Sequence, residues 1–177
     1  MADRAINVIG LVIEHLRMAY SESAVTPPLG GGSPHVRFFA GDTLPLAAWA
    51  GHRNDCSCKA PMLWVRVVRR YRSRDLPNEE AAILGATGCG ASRAITIEAG
   101  VMRCANTDAE PQWDDLEQEA LVQLDDSYRV DAALCRAMKC AEDENKALST
   151  ALAAGEPYGP EGGVLAWTQW AHAQLAG

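Results

Sequence analysis

His52, Cys56 and Cys58 stand close enough in the chain to share a zinc ion, because an imidazole and two thiolates have the softness that zinc prefers. A closed zinc site takes two close pairs of ligands, and no second pair of suitable spacing follows, so the sequence predicts neither a metal nor a cofactor. Cys56 beside His52 or His172 offers a thiol and a base, the parts of a cysteine nucleophile. A chain with six cysteines and four histidines contains such pairs by composition alone, and no catalytic residues are expected. GATGCGAS (85–92) lacks the Lys-Ser/Thr of a phosphate-binding loop, and Gly30-Gly31-Gly32 follows prolines rather than a strand, so both read as connections.

Two charged groups remain. Asp125 and Asp126 are neighbours, which on a helix separates them by about 100°, so with Asp131 they read as a solvated face rather than an ion site. Arg66, Arg69, Arg70, Arg72 and Arg74 form the densest basic cluster. With a net charge of −7 and few lysines, this cluster suits an acidic protein surface better than a nucleic-acid duplex.

The total hides an asymmetry. Residues 1–74 carry ten Lys/Arg against five Asp/Glu, whereas residues 75–177 carry six against eighteen, so the chain can meet copies of itself or charged partners through unlike faces. At 177 residues and 48% hydrophobic it can build one well-buried core, and a single domain over 1–177 is expected. The first twenty residues carry charge through their apolar stretch, and no run of about 18 apolar residues occurs. These features predict a soluble protein made in a cytoplasm, without a membrane partner, whose cysteines stay as free thiols.

The elements that must position these residues follow from periodicity. Ile6, Ile9, Ile13, Leu16 and Tyr20 draw an apolar stripe on a helix from about Asp3 to Tyr20. Residues 21–34, with Pro27, Pro28 and three consecutive glycines, read as a long mobile loop that orders only against another subunit. Val36–Ala40 and Leu44–Trp49 read as short extended segments, the second an edge because of Pro45. Met62–Tyr71 alternates as a strand with Leu63, Val65, Val67 and Tyr71 inward and Arg66, Arg70 and Arg72 outward. After a long connection with a short helical turn at Glu79–Leu84, Arg93–Cys104 is a second strand. A long helix starts at Trp113, with Leu116, Ala120, Leu121, Leu124, Tyr128, Cys135 and Met138 as its packing face. GPEGG then launches a final strand through Trp167 and Trp170. The fold class is α+β: a mixed or antiparallel sheet of about four strands on two main helices, with the Gly/Pro loop beside it.

This order, with the segments CSCKAPMLWVRVVRRYRSRDLP, ITIEAGVMRCAN and GPEGGVLAWTQW, resembles the tail-terminator family of siphovirus-type bacteriophages, and most closely neck proteins of phages that infect actinobacteria. The resemblance runs from about Asp55 to the C-terminus, with the N-terminal helix in the matching place. Gln169 and His172 depart from it by interrupting the β-branched alternation of the last strand. It implies a structural virion protein, assembled in the host cytoplasm, whose homo-oligomer is a six-membered ring. Such a ring caps the tail tube protein, stops its polymerisation and receives the head-to-tail connector or stopper protein, with genomic DNA passing through without specific binding. Pro27, Pro28, Gly31, Arg66, Arg70, Arg72 and Arg74 are then the expected inter-subunit or inter-ring contacts. The alternatives are another connector or stopper ring protein, or a small Cys/His metal-binding protein or enzyme.

Overall fold

Helix α1 (Arg4–Ala19) begins where Asp3 accepts the amide of Ala5, a side-chain cap that satisfies one of the free donors of the first turn. A computed structural model describes residues 3–44, 46–56, 60–79 and 92–176 of the chain. The remaining described elements are β1 (Val36–Phe39), α2 (Leu46–Cys56), β2 (Met62–Arg72), β3 (Arg93–Cys104), α3 (Trp113–Asp143), β4 (Ala147–Glu161) and β5 (Val164–Leu175). The protein is α+β. Its mixed sheet has five strands in the order β1-β2-β3-β5-β4, where only the β1–β2 pair is parallel.

Helices α1 and α3 cover one face of this sheet. Ile95, Ile97, Ala99 and Val101 of β3, Leu63 and Val65 of β2, and Ala171, Ala173 and Leu175 of β5 meet Val8, Val12 and Leu16 of α1 and Val130, Leu134 and Ala137 of α3. This is the core. On α1 the buried set is Ala5, Val8, Ile9, Leu11, Val12 and Leu16, and Ile6 lies outside it at 65% exposure, so the stripe is centred one residue away from the expected line.

Four expectations need correction. Leu44–Trp49 is not an extended edge: α2 starts at Leu46, where Ala47, Ala48 and Ala50 favour a helix. The segment 147–161, rich in alanine and interrupted by Gly155, Pro157 and Pro160, has weak strand propensity yet forms β4 by pairing with β5. The alternation of β2 breaks at a bulge between Val67 and Arg69, which turns Tyr71 onto the face away from the helices and brings Arg70 and Arg72 onto theirs. The expected packing face of α3 is largely its outside: Leu121, Leu124 and Tyr128 are exposed, as is Cys135, whereas Asp126 and Arg129 are buried. The helical turn expected at Glu79–Leu84 lies almost wholly outside the described residues.

The closing hairpin matches the turn signal. Gly162 and Gly163 take φ of +59° and +76° between Glu161 and Val164, the paired positive values of a two-residue hairpin turn. Gly100 serves a different purpose. The six-membered ring of Trp64 comes close against it, so a Cβ there would run into the indole and sit 2.6 Å from the carbonyl oxygen of Trp167. Gly100→Ala should therefore lower stability by about 2–3 kcal/mol, an overpacking cost that backbone on the other side prevents from relaxing. Thermal unfolding followed by circular dichroism checks this, and pairing the change with Trp64→Leu should recover part of the loss.

Candidate functional site

Two arginines decide where the loop at 21–34 goes. Arg103, near the end of β3, pairs with Asp126 through both of its carboxylate oxygens at 2.6 and 2.8 Å and also donates to the carbonyls of Gly30 and Gly31. Arg129 on α3 pairs with Asp125 at 2.7 Å, one helical turn away, and donates to the carbonyls of Ala19, Thr26 and Pro27. Asp125 also accepts the amide of Leu29 at 3.0 Å. The 100° between the neighbouring aspartates, a general property of the helix, lets Asp125 face Arg129 while Asp126 faces Arg103. Their reading as a solvated face is thus corrected: Asp126 is 3% exposed and Arg129 8%.

The loop is consequently held by its own chain rather than left mobile. Pro28, Gly32 and Ser33 are buried, Gly31 is half-buried and Pro27 is exposed, so among the expected contact residues Pro27 alone presents an open surface in this loop. Gly30, Arg103, Asp126, Glu119, Gln123 and Trp167 line a cavity of about 270 Å³ beneath it. Tyr20 closes the core end of this region, its buried hydroxyl donating to the carbonyl of Asp126 at 3.2 Å, and burial together with the Asp126 charge raises its pKa well above the ordinary 10.0.

The arginines of β2 are also engaged within the chain. Arg66 pairs with Glu98, whose carboxylate also accepts the Thr168 hydroxyl at 2.9 Å, and donates to the carbonyl of Asp42 at 2.7 Å. With its side chain only 12% exposed, it is not the solvent-facing residue that simple alternation suggests, and its removal would strand a buried carboxylate. Arg70 reaches Asp3 at 2.5 Å, and Arg69 reaches Glu79 at 2.9 Å while lying over the ring of Tyr71. Arg72 is half-buried and Arg74 exposed, and neither is without a partner.

On the sheet face away from α1 and α3, Trp49, Trp64, Met102, Tyr158, Val164 and Ala166 dominate a second cleft of about 530 Å³, with Glu98 and Thr168 in its wall. Farther along that face, His172 shares its Nδ1 with the hydroxyls of Thr96 at 3.0 Å and Tyr71 at 3.4 Å. Gln174 donates to the carbonyl of Ser73 and accepts from the Ser149 hydroxyl. Gln169, on the helix side, donates to Asp131 and to the carbonyl of Ala153. The polar residues that interrupt the last strand therefore have partners, and its pairing runs without a break from Ala94↔Gln174 to Cys104↔Val164.

Of the candidate chemistry residues, His52 and His172 are engaged separately. His52 directs Nε2 to the carbonyl of Ala60 at 2.9 Å and stacks on Trp49, while the side chains of Cys56 and Cys58 lie outside the described residues. His172 sits in the polar network of the sheet face instead. Among the described residues, no group of three His, Cys, Asp or Glu side chains is arranged to hold a metal. The expectation of six free thiols is corrected by Cys104, which is disulfide-bonded; Cys135 and Cys140 are free. Compartment and core size cannot reveal that the end of β3 comes within covalent reach of another cysteine.

No helix among the described residues is long and apolar enough to cross a membrane. No protein-family model and no curated protein matches the chain.

Replacing Arg129 with Met should break a largely buried ion pair and leave Asp125 without its partner, at a cost of about 3–5 kcal/mol. It should also speed hydrogen exchange at the Leu29 amide. Unchanged exchange there would show that the loop is held by other means. His172 generates a pH prediction. Burial, and the nearby charge of Arg69, lower its pKa below the ordinary 6.5. The unfolded chain then takes up the proton first, so this contribution to stability is complete above about pH 6.5 and declines as the pH falls through the folded value. Urea midpoints measured from about pH 7.5 down to 5.5 should fall, and His172→Gln should flatten the slope over that window.

Proposed function

We propose that this chain is a structural subunit of the neck of a long-tailed bacteriophage, a tail terminator whose ring caps the tail tube, stops its polymerisation and joins the tail to the head connector. The sequence resemblance over residues 55–177 supplies the family. The observation that carries an assembly role is the use of the charged groups. Arg66, Arg69, Arg70, Arg103 and Arg129 hold carboxylates of their own chain, and the cluster that looked available for chemistry or nucleic acid is spent on positioning β2, α1, α3 and the loop.

A ring of like subunits needs two different, complementary surfaces, and the unlike charge balance of the two halves of the sequence fits that need. The acidic balance of the C-terminal half also suits a channel that DNA traverses, because like charge keeps the genome from adhering to the wall. Pro27 and the exposed Arg74 fit contacts with a neighbouring subunit or ring. The enzyme alternative has less support: His52 is engaged with a backbone carbonyl, and His172 shares its Nδ1 with two hydroxyls.

Deletion of this gene from a phage, with complementation and electron microscopy, tests the reading. A terminator predicts overlong tails that fail to join heads in its absence, restored to uniform length by the wild-type gene. Tails of normal length beside unjoined heads would assign the chain to a connector or stopper ring, and normal particles would remove it from the neck altogether.

A further inference from the structure

The cleft on the sheet face away from α1 and α3 takes no part in the assembly role. Three aromatic side chains from three elements border it: Trp49 of α2, Trp64 of β2 and Tyr158 of β4. Leu44, Met102 and Val164 add apolar wall. At about 530 Å³ it can take a whole small molecule, for which roughly 300–1,000 Å³ is usual. Arg66 fixes its shape, because its guanidinium donates to the carbonyl of Asp42, beside Thr43 and Leu44 in the wall, and pairs with Glu98.

The polar groups of the cleft select a ligand by charge. Its described lining residues include two carboxylates, Glu98 and Glu161, and no lysine, arginine or histidine. Glu98 is neutralised by Arg66 and contributes little net charge. Glu161 is the carboxylate left over: it is exposed and accepts the Tyr158 hydroxyl at 2.6 Å, a neutral partner that leaves its charge intact. Arg37 stands opposite Trp64 in the β1–β2 pairing, but it is exposed and lies outside the lining. A negative charge beside aromatic rings attracts a cation, and a cation wrapped in alkyl groups enters an apolar cleft at less desolvation cost than a bare ammonium. The indole N–H of Trp64 adds a further requirement. It is buried and has no hydrogen-bond partner among the described residues, which is rare for a buried donor. An oxygen carried by the ligand would answer it.

We infer that this cleft binds a small organic cation: an alkylated ammonium with a hydroxyl or carbonyl oxygen a few bonds away. The ammonium sits against Trp49 and Tyr158 with Glu161 as its counter-ion, its alkyl groups meet Met102 and Val164, and the oxygen accepts from Trp64 Nε1. The site lies within one copy of the chain, so it stands or falls apart from the neck reading.

Choline and the uncharged alcohol with carbon in place of its nitrogen, dimethylbutanol, are suitable probes, because they share shape and hydroxyl and differ in charge. Titrations of the full chain, followed by tryptophan fluorescence and saturation-transfer NMR, should show saturable binding of choline, with the alcohol about tenfold weaker or worse. Glu161→Gln and Trp49→Leu should each weaken choline several-fold, and added salt should weaken it more in the wild type than in Glu161→Gln. Glu161 is exposed and Trp49 half-buried, so thermal unfolding should stay near wild type; if Trp49→Leu proves unstable, Glu161→Gln decides alone. Absence of saturable choline binding, or equal binding of the two probes, would overturn the cation site. Choline binding that neither substitution weakens would put it elsewhere on the molecule and overturn the assignment to this cleft.

Discussion

Strand β3 is covered on both faces from Ala94 to Val101, and much of the molecule is arranged to make that tolerable. Its helix-side residues are apolar and need only close packing. Its other face carries Thr96 and Glu98 into the same burial, and a buried carboxylate without a partner costs far more than a pair contributes. Arg66 and Thr168 answer Glu98, and His172 answers Thr96, from the two strands that flank β3. The neighbours are therefore specified by hydrogen bonding as well as by hydrophobic pattern. Gly100 completes the arrangement by leaving room for Trp64 to cover the strand.

Helix α3 follows a related logic in an unexpected direction. A helix on a sheet ordinarily buries its apolar residues and solvates its charges. Over its first half, α3 buries Asp126 and Arg129 and leaves Leu124 and Tyr128 outside. The buried ions are paired with Arg103 and Asp125, and the remaining guanidinium donors meet carbonyls of a loop whose prolines and glycines offer few partners of their own. Ion pairs here fix the path of the chain; apolar residues are left for the surface.

This inversion explains what the sequence made legible. Strands β2 and β3 could be read because their alternation is strong, β5 because a Gly/Pro turn launches a run with tryptophan and threonine, and α1 because its apolar residues recur with helical period. The glycine pair at 162–163 marked the turn into the last strand for a backbone reason that needs no tertiary information. Strand β4 could not be read, since its alanines and prolines form a strand only by virtue of β5. The bulge after Val67 leaves no clear trace in composition, yet it reverses the facing of Tyr71 and Arg70. The Asp125–Arg129 pair stands at a helical spacing of four, a signal that the solvated-face reading passed over, whereas the match of Arg103 with Asp126 joins a strand to a helix across the fold and emerges only with the packing.

The edge formed by β4 has a last consequence. Its fifteen residues would offer a long template for another strand, but the ladder with β5 is irregular at three places, and Gly155, Pro157 and Pro160 fall in its outer half. An approaching chain meets no long run of evenly spaced amides and carbonyls, so main-chain zippering stalls after a few residues. The protein is thereby spared the indiscriminate adhesion that an open backbone edge permits. Any contact made along this edge is left to side chains, which can tell a correct neighbour from a wrong one.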